Sequence, residues 1–159
     1  MIIVVSGTPG TGKTTFAKAL ALELSAHYVS VTDFALENEL TDGYDDERDC
    51  YILDEVRIEQ ALKVFAKENN DLVIDSHMAH EFGSWVDIVL VCTCDLKVLK
   101  SRLQARGYAE NKVQENMQVE IFDTCYIESL EKGHQTIKIK NEGDVKELIR
   151  PLLSRLSSS

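Results

Sequence analysis

The chain has little proline, one tryptophan and a shortage of positive charge: 2 Pro and 1 Trp in 159 residues, with 17 Lys and Arg against 27 Asp and Glu. With 44% hydrophobic and 28% charged residues, it does not have the composition of a disordered or proline-rich segment. No apolar run approaches the ~18 residues of a membrane-spanning helix, so no membrane contact is expected. A basic leader is also missing, and Met1-Ile2-Ile3-Val4-Val5 is too short for a signal-peptide core, so the chain reads as mature and intracellular. The length suits one domain, expected over residues 1–156, with Ser157-Ser158-Ser159 as an unstructured tail.

Four cysteines are present, Cys50, Cys92, Cys94 and Cys125, but their spacing matches neither a zinc site nor a disulfide frame. In Val89-Leu90-Val91-Cys92-Thr93-Cys94 the two thiols share one face of an expected strand, where they serve as small core residues. A reducing compartment, cytoplasmic or nuclear, follows as the expected location.

Strand and helix patterns alternate along the chain without an internal repeat. Strands are predicted at 2–6, 28–31, 72–74, 86–92 and 135–139, and helices at about 13–25, 54–68, 96–105, 113–130 and 145–156. Continuous apolar strands such as Leu72-Val73-Ile74 are those of a sheet covered on both faces. The expected fold is α/β, a five-stranded parallel sheet flanked by helices with right-handed crossovers.

Gly7-Thr8-Pro9-Gly10-Thr11-Gly12-Lys13-Thr14 fits G-x-x-x-x-G-K-[ST] in full, and it lies between the first strand and the first helix as that motif requires. Glycines there let backbone N–H groups converge on a phosphate, and the following helix turns its positive end to the same place. Lys13 reaches β- and γ-phosphates, and the Thr14 hydroxyl suits Mg²⁺. A dinucleotide fingerprint is excluded by the order of the glycines.

Two further pieces limit the chemistry. Asp71-Leu72-Val73-Ile74-Asp75 is an apolar strand ending in a carboxylate, which makes Asp75 the candidate for the Mg²⁺ shell, acting through water, with a turn cap as the alternative. His77, two residues on, can orient a water or an acceptor oxygen; a solvated loop histidine is the plainer reading, and His80 is a weaker candidate. Residues 97–112 carry a net charge of +4, with Arg102 and Arg106 four apart on one helix face before Arg106-Gly107-Tyr108. Such a pair can close over a triphosphate, or simply be a solvated face. The opposite pole is Glu37–Glu59, with a net charge of −8 in 23 positions. A run of this kind is most often solvated surface, but it also suits a basic partner better than a phosphate.

These segments carry a resemblance. The phosphate loop, Asp42-Gly43-Tyr44-Asp45-Asp46-Glu47-Arg48-Asp49-Cys50, Ile52-Leu53-Asp54-Glu55, Asp75-Ser76-His77, and Arg106-Gly107-Tyr108 with Asn116 and Glu120-Ile121 together resemble the adenylate kinase isoenzyme 6 family. The resemblance runs nearly end to end. It implies an adenylate-kinase core, Mg·ATP in the phosphate loop, an acceptor-binding segment near 30–53 and a lid near 105–115. Gly10, Gly12, Lys13, Thr14 and Thr15 are then the ATP phosphate contacts, Asp75 and His77 serve Mg²⁺ and the reaction, and Arg106 serves the lid. It further implies conversion of ATP and AMP to ADP, ATPase activity, and a role in small ribosomal subunit maturation beside a basic platform ribosomal protein and pre-ribosomal RNA. Two departures bear on the acceptor: Leu36 stands where some members have a basic residue, and Met78-Ala79-His80 replaces the arginine that ordinary adenylate kinases place after the third strand. Weak AMP binding is the expectation.

An ATPase that changes its grip on a ribosomal protein, with little AMP kinase activity, is the alternative. A GTP switch is the second alternative, for which Asn141-Glu142-Gly143-Asp144 lacks the lysine of a guanine reader. Asn141 is otherwise expected near the adenine.

Overall fold

The computed structural model describes residues 1–156; the expected tail at 157–159 lies outside the described residues. Its central sheet starts with β1 (Ile2–Gly7), six consecutive buried residues. Ile2 and Val4 face one core cluster and Ile3 and Val5 the other, so the period-two alternation of a strand divides this apolar run between two helical layers. The remaining strands of this sheet are β2 (His27–Ser30), β5 (Leu72–Asp75), β6 (Ile88–Thr93) and β7 (Thr136–Lys140), in the order β2-β5-β1-β6-β7, every pair parallel. This is the expected α/β architecture. The central strand β1 ends at the phosphate loop, beside the carboxyl ends of β5 and β6, where open parallel sheets bind ligands.

Helices α1 (Lys13–Leu24) and α7 (Val145–Leu156) cover one face with Phe16, Ala17, Leu20, Ile149, Leu152 and Leu156. Helix α3 (Glu55–Glu68) covers the other through Ile58 and Leu62, and Asp54 caps it by accepting the Arg57 N–H at 3.1 Å. A third, smaller cluster of Leu99, Leu103, Val113 and Cys94 joins α4 (Leu96–Ala105) to α5 (Glu110–Ile121).

Two local expectations need correction, and one stretch without an assigned element is filled in. Beyond the strand expected to end at Val31, residues up to 53 form α2 (Val31–Glu37), capped by Ser30, and an antiparallel hairpin of β3 (Thr41–Asp45) and β4 (Cys50–Leu53). Buried Val31 and Ala35 anchor α2, whereas the hairpin is held by its own ladder and the Tyr44–Tyr51 edge-to-face pair, and so carries no apolar alternation to read. The single helix expected over 113–130 is two, α5 and α6 (Thr124–Glu131), because Asp123 takes a left-handed conformation at φ 53° and turns the chain. Cys94 lies past the end of β6 and packs in the third cluster, not beside Cys92, although both thiols are buried. Burial pushes the Cys92 thiol up to about 12, so it serves as an inert core side chain.

Candidate functional site

The phosphate loop is held from outside by bonds to its own carbonyls. The Thr11 N–H and hydroxyl both donate to the Thr8 carbonyl, at 3.2 and 2.7 Å. Arg102 Nη1 donates to the Gly10 carbonyl at 3.3 Å, and buried Asn141 donates its Nδ2 to the Thr11 carbonyl at 2.7 Å. The loop's own Thr11–Thr8 bonds and two elements distant in sequence thus fix its curvature before any phosphate arrives, which is preorganisation of an anion cradle. Glycine is required at position 12: φ is 78°, and a Cβ would lie 2.6 Å from Asn141 Nδ2. At the mouth, Gly10, Gly12, Thr15, Arg102, Arg106, Asn141, Gly143 and Val145 line an open cleft of about 380 Å³. The spacing of Arg102 and Arg106 on α4 therefore does bring both to the phosphate loop, and Asn141 joins them from the turn after β7.

On the loop's other side, Thr14 Oγ1 donates to Asp75 Oδ2 at 2.5 Å, joining the first turn of α1 to the end of β5. The Tyr28 hydroxyl donates to the same oxygen at 3.1 Å. Tyr28 has no counterpart in the sequence reading, since a tyrosine in a four-residue edge strand gives no signal. Burial, and then the Asp75 charge, raise its pKa, so it remains a proton donor that orients the carboxylate. A hydroxyl and a carboxylate held in contact are hard oxygen donors suited to Mg²⁺. No group of three or more His, Cys, Asp or Glu able to hold a metal exists among the described residues, so the remaining ligands would come from phosphate and water. His77 lies on the same rim. Desolvation, reinforced by Lys13 and His80 and opposed by Asp75, lowers its pKa, which favours the neutral imidazole. His80 is placed differently, between Glu81 and Glu128, each 3.3 Å from a ring nitrogen.

The AAA domain family matches residues 3–123. The adenylate kinase isoenzyme 6 homolog FAP7 of Saccharomyces cerevisiae is 34% identical over 156 residues, covering 97% of this chain and 79% of its own. The adenylate kinase isoenzyme 6 homolog of Caenorhabditis elegans is 32% identical over 156 residues, covering 97% and 86%. The chain belongs to the adenylate kinase isoenzyme 6 family. Among solved structures, shikimate kinase from Acinetobacter baumannii in complex with shikimate aligns with a TM-score of 0.65 at 19% identity, over 98% of this chain and 92% of that one. That likeness is one of fold alone.

In this member of the family, the acidic stretch is concentrated on the hairpin. Asp42, Asp46, Glu47 and Asp49 are exposed there, together with Tyr44 and Tyr51. Asp45 differs from its neighbours, because its Oδ1 accepts the Glu47 and Arg48 N–H groups at 3.0 Å each and so forms the turn. Arg48 and Arg57 pair with Asp45 and Asp54 at 4.0 and 3.8 Å, both contacts being largely exposed and weak. The segment read as a lid, 105–115, comprises the end of α4, a short turn at 106–109 and the first residues of α5. From the first turn of that helix Lys112 donates to the Arg48 carbonyl at 2.9 Å, so it bridges the hairpin and the start of α5. Neither Lys112 nor Tyr28 was singled out by motif or spacing.

Proposed function

We propose that this protein is a Mg·ATP-dependent adenylate kinase with intrinsic ATPase activity. The observation that carries this reading is the phosphate loop with its two flanks: the bonded set Thr14–Asp75–Tyr28 on one side, and on the other a cleft lined by Arg102, Arg106 and Asn141. Lys13 neutralises charge on the β- and γ-phosphates, and the loop amides and the α1 N-terminus take the rest. Thr14, and Asp75 through water, would hold Mg²⁺, which would offset charge on the phosphates. Arg102 and Arg106 stabilise charge on the transferring group from the α4 side. In phosphoryl transfer, the bond between the β–γ bridging oxygen and the γ-phosphorus breaks as an AMP phosphate oxygen bonds to that phosphorus in line, leaving two ADP. In hydrolysis a water oxygen takes that position, and neutral His77 accepts its hydrogen bond. Asn141, Glu142 and Asp144 serve structural bonds: to Thr11, to the Asp95 N–H at 2.6 Å, and to the Lys146 N–H at 2.8 Å. Nothing in that turn favours a guanine reader.

The exposed carboxylates of the hairpin support a second role, docking of a basic protein such as a small-subunit ribosomal protein during ribosome maturation, in the cytoplasm or nucleus. The hairpin stands on its own two-stranded sheet, so its charge can be used by a partner without disturbing the main core. Helix α2 and the hairpin form the acceptor-binding segment of 30–53, and residues 105–115, the turn at 106–109 with the start of α5, form the lid.

The deciding experiment measures ADP formation from Mg·ATP with and without AMP, for the native chain and for His77→Ala. Transfer to AMP above the hydrolysis background supports the kinase. A fall of more than tenfold in hydrolysis for His77→Ala, with ATP affinity held, supports its role in the transition state. A native chain that binds ATP yet forms no ADP in either condition overturns the reading.

A further inference from the structure

Glu120 lies in the last turn of α5, where the negative end of the helix dipole makes a carboxylate locally unfavourable. The helix breaks three residues after it, at Asp123. Neither local propensity nor an ion pair among the described residues explains a glutamate there, but two long-range bonds do. Glu120 Oε2 accepts the Thr8 hydroxyl at 2.7 Å, and Oε1 accepts the Cys94 N–H at 3.2 Å. Thr8 is itself buried, and its carbonyl takes both bonds from Thr11, whose own carbonyl takes Asn141. A continuous hydrogen-bonded chain therefore runs from α5 through the phosphate loop to the turn after β7.

We propose that Glu120 is a positioning residue, which locks the phosphate loop to the helix that follows the lid turn, so that loop curvature and lid placement are set together. Each carboxylate oxygen holds a donor from a different element: one from the loop after β1, the other from the chain leaving β6. The carboxylate spans the gap between the loop and the start of the α4–α5 unit that carries Arg102, Arg106 and Lys112. Charge-assisted bonds of this kind are shorter and stronger than neutral ones and are part-buried here, so they resist the rocking of α5 against the loop. Loss of the clamp lets the loop amides and the arginines drift relative to one another, and displacements of ~1 Å in such constellations cost up to about 10²-fold in rate.

The proposal rests on the nucleotide-kinase reading, and two readouts separate their failures: kcat/KM for ATP, and the dissociation constant for ADP measured by calorimetry, which needs no turnover. Glu120→Ala is expected to lower kcat/KM at least tenfold and to weaken ADP about fivefold. Glu120→Gln is expected to stay within threefold of the native chain, because its carbonyl oxygen accepts the Cys94 N–H while its amide donates to a rotated Thr8 hydroxyl. Thr8→Val should reproduce the Glu120→Ala loss, and the double variant should be no worse than the worse single one. Glu120→Ala within twofold of native in both readouts, losses that multiply in the double variant, or Glu120→Gln falling as far as Glu120→Ala would each overturn it. Should Glu120→Ala fail to fold, Thr8→Val and Glu120→Gln decide the matter. A native chain that binds ADP but transfers no phosphoryl group fails the kinase reading alone, and the ADP readout still judges Glu120.

Discussion

Gly12→Ala tests how far the phosphate loop depends on Asn141. Two costs arise. An alanine in the left-handed conformation at φ 78° is destabilised by about 1–2 kcal/mol. Its Cβ would also lie 2.6 Å from Asn141 Nδ2, which must move off the buried Thr11 carbonyl and leave it without that donor, at about 1–3 kcal/mol. The total is roughly 2–5 kcal/mol, or a fall in Tm of about 4–20 °C at ~2–4 °C per kcal/mol for a chain of this size. Asn141→Ala alone bears only the second cost and clears the space. Gly12→Ala introduced into the Asn141→Ala background should therefore cost just the backbone strain, giving a coupling of about 1–3 kcal/mol between the two positions. Urea denaturation of the four chains reads this directly, provided the m-values agree. The same cost for Gly12→Ala in both backgrounds would refute the reasoning, for Asn141 would then not be the obstacle.

Other outcomes follow from the site. Lys13→Ala should abolish phosphoryl transfer and hydrolysis while leaving the urea midpoint near native, since that residue is only half-buried; near-native turnover would remove its catalytic assignment. The lowered pKa of His77 means that the unfolded chain, titrating near 6.5, binds a proton that the folded chain does not. Stability contributed at this position is therefore present above that value and is lost as pH falls through it, so the drop in Tm between about pH 7.5 and 5.5 should be smaller in His77→Gln than in the native chain. Neutralising the exposed pair by Asp46→Asn and Glu47→Gln, with turn-forming Asp45 kept, should slow association with a basic protein partner and flatten its salt dependence, with AMP-dependent turnover equal or slightly raised. Unchanged association rates together with a collapse in AMP turnover would make the hairpin a part of the acceptor site alone.

The amino-acid sequence by itself determined the sheet, the phosphate loop and the family. Five short apolar runs separated by helical periodicity leave few arrangements other than a parallel sheet covered on both faces, and the glycine, lysine and threonine spacing of 7–14 has a local physical meaning that survives without coordinates. Arg102 and Arg106 were legible because spacing along one helix is itself geometry. Tertiary structure alone decided which distant groups complete the site. Tyr28 meets Asp75 because β2 pairs with β5 in a register that matches Tyr28 to Val73 and Ser30 to Asp75, and nothing local to either strand specifies that register. Glu120 reaches Thr8 across 112 positions of sequence, and Asn141 reaches Thr11 across 130, each through a fold-level approach that no window of neighbouring residues contains. The hairpin at 41–53 escaped for a related reason: with most of its side chains exposed and only its ends, such as Leu53, half-buried, it lacks the alternation that betrays a half-buried strand, so the pairing of its two arms defines it.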